Sequence, residues 1–184
     1  SSSSIGGFTY YNQGEYSNVA FCDSGKNLQS SGCGAVSFSM VASNLVDNSY
    51  NPKVVANWLC SNGHGGGALS ESWYTNKKLL NKFGLKSTKI AGNIGTNSDK
   101  VKKAKKQIGE KLKKGNMIIL YIPGHYIVLA PGKDGKVILM DPGKRANNGT
   151  YTIDGVYNLT KNYKNRCTSS NNCGWHGVYS FSKK

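Results

Sequence analysis

The residue whose surroundings most suggest chemistry is a cysteine set between two glycines. Cys33 lies in Ser31–Gly32–Cys33–Gly34, directly ahead of Ala35, Phe38, Met40, Val41, Ala42 and Leu45, a run that reads as a buried, nearly all-round apolar helix. A thiol at a helix N-terminus meets the positive end of the helix dipole and unpaired backbone N–H groups, and both favour the thiolate. Gly32 and Gly34 are small enough to let a substrate backbone approach the sulfur. Local sequence leaves open a buried structural thiol or half of a disulfide.

His125 follows Pro123–Gly124 and opens the run His125–Leu129, while Asp141 closes the next run in Leu139–Met140–Asp141–Pro142–Gly143. If the two runs are neighbouring antiparallel strands, the start of one lies beside the end of the other. The carboxylate can then hold the imidazole in the tautomer and orientation a base needs. Gln13, in Tyr10–Gly14, can offer a side-chain amide N–H to a developing oxyanion beside the backbone N–H of Cys33. Each residue also has a plain reading, as a turn histidine, an Asp–Pro turn or a polar turn residue. His64, in a glycine-rich loop, and His176, ahead of the last strand, compete for the base role or border the cleft, as does Gly124. Asp134 and Asp154 compete as orienter but sit in turns. No G-x-S-x-G elbow supports a serine nucleophile.

The five cysteines, Cys22, Cys33, Cys60, Cys167 and Cys173, suggest one free thiol and up to two disulfides. With Cys33 free, the others allow three pairings, of which Cys22 with Cys60 and Cys167 with Cys173 is preferred; a reduced protein is not excluded. A zinc site from Cys167, Cys173 and His176 is conceivable, but the spacing matches no common zinc pattern, so no metal or cofactor is expected.

These residues need elements to position them. Residues 1–7 are linker-like, and 8–184 read as one domain, long enough to build a core without staples. After the helix at Cys33, Asn51–Pro52 starts a second that runs to about Cys60. Ser70 caps a third that Gly84 ends near Phe83. Val101, Ala104, Ile108 and Leu112 recur at helical steps within the lysine-rich stretch Lys100–Lys114. Short runs at Met117–Ile122, Tyr126–Ala130, Lys136–Met140, Tyr151–Ile153 and Val178–Phe181 read as antiparallel strands. Helices first and strands afterwards predict an α+β fold with the helices on one side of the sheet.

With 24 Lys+Arg against 9 Asp+Glu the formal net charge is +15, which calls for an anionic partner. No zinc-finger, RNA-recognition or helix-turn-helix signature supports a specific nucleic-acid partner. No apolar run approaches the roughly 20 residues of a membrane span. The start at Ser1, with neither initiator Met nor signal-peptide pattern, reads as a mature or excised piece.

The stretches Tyr10–Asn18, Ser30–Leu45 and Gly124–Lys144 resemble the papain-superfamily cysteine peptidases of the stand-alone branch related to bacteriocin leader peptidases. The resemblance spans about Tyr10 to Tyr163 in the order Gln, Cys, His, Asp. It implies a papain-like fold with Gln13 in the oxyanion hole, Cys33 as nucleophile, His125 as general base and Asp141 as its orienter. Ala35 stands where a proline is usual, and Gly32 where leader peptidases carry an aspartate, which argues against leader processing. The resulting expectation is a secreted hydrolase of peptide or amide bonds acting through a thioester. Its expected substrate is peptidoglycan, reached among the anionic polymers of a bacterial cell wall. The alternatives are a peptidase for secreted or leader peptides and a catalytically silent wall-binding module.

Overall fold

The computed structural model describes residues 3–168 and 172–184. Ser3–Ile5 (β1) and Phe8–Tyr10 (β2) form an antiparallel hairpin. The expectation of a linker over residues 1–7 is therefore corrected for 3–7. Gly6 and Gly7, at φ 57° and 87°, supply the paired left-handed conformations of a tight two-residue hairpin turn. The turn also docks, since a Cβ on Gly6 would come within 2.9 Å of Ile138. Ser1 and Ser2 lie outside the described residues.

Leu28–Ser31 (α1) is a single turn closed by a reciprocal Asn27–Ser30 capping box. Cys33–Leu45 (α2) follows, with every residue from Gly34 to Ser43 buried. Pro52–Ser61 (α3) starts where the Asn51 side chain accepts from the Val54 N–H. The third helix, expected as one piece from Ser70, is broken. Ser70 caps a 3-10 turn over Glu71–Thr75, and Asn76 then caps a separate helix, Lys77–Phe83 (α4). Asn76 sits at φ −70°, ψ 119°, outside the helical region, with its side chain on the Leu79 N–H, so one helix cannot run through it. Gly84 ends α4 in the left-handed conformation.

The remaining elements are Leu85–Gly95 (β3), Ser98–Lys113 (α5), Met117–Ile122 (β4), His125–Pro131 (β5), Val137–Met140 (β6), Gly149–Tyr151 (β7), Ile153–Thr160 (α6) and Trp175–Lys183 (β8). Six strands form one antiparallel sheet in the order β3-β8-β4-β5-β6-β7. The fold is α+β. The strand expected at Tyr151–Ile153 stops at Tyr151, because the Thr152 hydroxyl accepts from the Gly155 N–H and starts α6 instead. β3, which sequence reading left unassigned, is an edge strand with two register shifts against β8.

Helices cover both faces of the sheet, which corrects the expected one-sided arrangement. On one face Met117, Ile119, Val128 and Phe181 pack with Phe38 of α2 and side chains of α3 and α4. On the other, Ile118, Leu120, Ile127 and Leu129 pack under Val101, Ala104, Ile108 and Leu112 of α5 and Val156 of α6. β4 and β5 are apolar on both sides, so a second layer is required to keep the far side from water. Disulfides join Cys22 to Cys60 and Cys167 to Cys173. Neither Cys167 nor Cys173 therefore offers a thiolate to zinc, and among the described residues no cluster of three His, Cys, Asp or Glu could hold a metal. No helix among them is long and apolar enough to cross a membrane.

Candidate active site

Cys33 is the first residue of α2 and the free cysteine of the chain, half-buried at the junction of α1 and α2. Gly32 ends α1 by donating its N–H to the Leu28 carbonyl at 2.9 Å and at once caps α2. A Cβ there would lie 2.3 Å from that carbonyl oxygen. A Cβ on Gly34 would lie 2.6 Å from the Leu69 side chain. Both glycines are buried against the protein's own chain, so they bring α1 and the Leu69 segment close to Cys33 and do not line an open cleft.

The β4–β5 turn and the end of β6 supply the partners. His125 Nε2 lies 2.7 Å from Asp141 Oδ1, with both side chains nearly inaccessible. The other ring nitrogen, Nδ1, takes no part in that bond, and the neighbouring Cys33 side chain favours the protonated ring. The imidazole thus interacts with both Cys33 and Asp141. Burial alone would push the His125 pKa down, but the bonds to Asp141 and Cys33 outweigh it and the net direction is up. For Asp141 burial pushes up, whereas His125, Tyr163 and Asn147 together hold its carboxyl below the usual range.

Three residues that sequence reading missed complete this arrangement. The Tyr163 hydroxyl donates to Asp141 Oδ2 at 2.7 Å, and its ring stacks on His125 at 4.5 Å and 8°. Asn147 donates to the same oxygen at 2.9 Å. The Gly143 N–H donates to Oδ1 at 2.8 Å, and a Cβ on Gly143 would stand 2.9 Å from the His125 ring. The Asp–Pro–Gly turn was a readable sign of this last contact, since Asp side chains accept from the backbone two residues on. Tyr163 left no local signal.

Gln13 opens a 3-10 turn after β2, and its N–H donates to the Pro142 carbonyl at 2.8 Å, next to Asp141. Its side-chain Nε2 donates to the carbonyl of Gln29 in α1 at 2.8 Å, while the buried Oε1 has no hydrogen-bond partner among the described residues. One amide hydrogen is thus committed to α1, and the second remains for a ligand.

The other candidates are separated by the fold. His64 packs against Phe21 at 4.9 Å and Trp73 at 6.1 Å, beside the Cys22–Cys60 disulfide. His176 rests 5.0 Å from the ring of Tyr121 in an open groove. Gly124 is exposed at the tip of the β4–β5 turn, where its carbonyl accepts from Arg166. Asp134 lies in the turn at the far end of β5, and Asp154 pairs with Lys105 at 2.8 Å. Neither reaches His125.

A thiol bonded to an imidazole can pass it a proton, and the resulting thiolate can add to a carbonyl carbon. Helix-start N–H groups lack intrahelical acceptors and face such an oxyanion. Scans against protein-family models, curated proteins and solved structures match nothing to this chain.

Proposed function

We propose that the chain is a papain-like cysteine hydrolase that cuts peptide or amide bonds, and that its substrate is the peptide portion of peptidoglycan. The observation that carries this reading is the buried His125–Asp141 hydrogen bond, with the free Cys33 side chain within interaction range of the same imidazole. In the mechanism the Cys33 proton moves to His125 Nδ1 and the thiolate adds to the scissile carbonyl. The backbone N–H of Cys33 and the Gln13 amide receive the oxyanion. Collapse of the adduct breaks the C–N bond, His125 returns its proton to the departing amine, and a thioester remains. Water, deprotonated by the same ring, releases the acid and restores the thiol. Asp141 stays ionised and holds the ring, as the four groups donating to its carboxylate favour.

The resemblance to papain-superfamily peptidases supports the same assignment of Gln13, Cys33, His125 and Asp141. Two disulfides are compatible with secretion to a cell surface, and a net charge of +15 suits anionic wall polymers. The test is mass spectrometry of soluble fragments from purified Gram-positive sacculi, comparing wild type with Cys33→Ala. Fragments from wild type alone are the expected result, and their new end groups name the bond. Release by both proteins, or by neither, sinks the thiol-dependent wall hydrolase; release by neither directs the search to soluble peptides.

A further inference from the structure

Reached from the His125 strand through Tyr121 lies a groove that this mechanism does not use. Ile122 pairs with His125 across β4 and β5, and one step along the same strands Tyr121 pairs with Tyr126. Tyr121 pairs on its other side with Gly177 of β8, so a continuous row leads from the His125 strand to an open groove of about 760 Å³. Glu71, Tyr121 and His176 line it. Tyr126, which packs against Tyr121 at 4.8 Å between ring centres, lies within electrostatic reach of both Cys33 and Glu71.

The Glu71 carboxylate is unevenly used. Oε1 accepts from the Tyr179 hydroxyl and from the Lys89 ammonium at 3.2 Å. Among the described residues Oε2 accepts no hydrogen bond, and the side chain is 32% exposed. The carboxylate can lie over β8 because residue 177 is glycine, where a Cβ would stand 3.2 Å from Oε1. A carboxylate flanked by aromatic rings suits a primary ammonium, through an ion pair and attraction to the ring faces. Lys89 displays that preference within the chain, its Nζ lying against Oε1 and 5.6 Å from the centre of the Tyr179 ring. In a chain with 24 Lys+Arg and 9 Asp+Glu, a partly exposed carboxylate lining this groove attracts cations to a place from which most of the surface repels them.

We infer that this groove is a specificity subsite for a substrate group bearing a primary ammonium, such as the side-chain amine of a diamino acid in a wall peptide, with Glu71 as its ion partner and Tyr121 as its aromatic wall. The inference rests on the hydrolase reading. Lys89, 46% exposed, is an internal competitor for the same carboxylate.

The test is equilibrium binding of purified soluble muropeptides, with free amines or after N-acetylation, to three proteins: Cys33→Ala alone and Cys33→Ala combined with Glu71→Gln or Lys89→Met. Free amines should bind Cys33→Ala about three- to fivefold more tightly than acetylated ones, the effect of roughly one modest ion pair. Glu71→Gln, which keeps a hydrogen-bonding group of the same shape, should bring the ratio to about one, and Lys89→Met should widen it. Equal affinities in Cys33→Ala, no binding of either form, or a ratio unmoved by Glu71→Gln overturns the subsite. Hydrolysis of the same muropeptides by wild type is scored separately, so a failed hydrolase assignment is distinguishable from a failed subsite.

Discussion

At the scale of single residues, the least expected contributor is Tyr163, which stacks on His125 and donates to Asp141 with the same side chain. Tyr163→Phe keeps the stacked ring and removes only the hydroxyl, so kcat should fall no more than about tenfold, one net hydrogen bond being worth roughly 1 kcal/mol. Asp141→Asn should cost on the order of 10²- to 10⁴-fold, because it alters both the charge and the hydrogen-bonding pattern that set the imidazole tautomer. The two differ in pH dependence as well. His125 is held above the usual imidazole value of about 6.5, so its contribution to stability is full below that pH and fades as pH rises through the folded value. Asp141 is held below the usual value of about 3.9, so its contribution is full above that pH and fades as pH falls through the folded value. A melting-temperature profile of wild type should therefore be highest between about pH 4 and 6.5 with respect to this pair. Asp141→Asn should flatten both flanks while Tyr163→Phe keeps the alkaline one. An unchanged profile in Asp141→Asn would contradict the assigned couplings. Cys33, His125 and Asp141 were legible because each stands at the edge of an apolar run. Tyr163 reaches them from a 3-10 turn 22 residues beyond Asp141, a proximity with no periodic trace in the chain.

At the scale of elements, what the sequence disclosed depended on how strongly each segment was patterned. α5 declared itself through four apolar residues at helical spacing, and those four are the ones buried. α6 carried a similar spacing in Ile153, Val156 and Thr160, but it is short and follows a strand, and reading Tyr151–Ile153 as extended obscured it. β3 had little pattern to show. Lys86, Thr88 and Lys89 are exposed, its register shifts twice, and its partner β8 begins some 80 residues later. The two-sided core was implicit in the continuous apolar runs of β4 and β5, which cannot be satisfied by helices on one side. Ile108 tests this layer directly, since it is fully buried between α5 and the sheet face away from α2. Ile108→Ala should lower unfolding free energy by about 2–5 kcal/mol in a urea titration while the folded fraction keeps its activity. A cost below about 1 kcal/mol would mean that α5 does not seal that face.

For the whole molecule the dominant property is charge. Lys102, Lys103, Lys106 and Lys113 lie exposed along the outer side of α5, pointing away from the apolar stripe that holds the helix down. On the function proposed above, attraction of these exposed charges to wall polymers is screened as the Debye length shrinks from about 10 Å at 0.1 M salt to about 3 Å at 1 M. Binding of Cys33→Ala to sacculi, measured by co-sedimentation, should fall several-fold over that range. Salt-independent retention would assign wall affinity to something other than charge. The order of the strands has a consequence of a different kind. β8, the last strand of the chain, lies inside the sheet between β3 and β4, and Tyr10 near the start donates its hydroxyl to the Asp141 carbonyl. The first contact needs residues 175–183 and the second needs Asp141, so both wait for segments far along the chain. While residues 175–183 are withheld, an inner strand is missing and β3 and β4 have no partner between them. The topology therefore acts as a built-in delay, and the six-stranded sheet closes only after residues 175–183 have been synthesised.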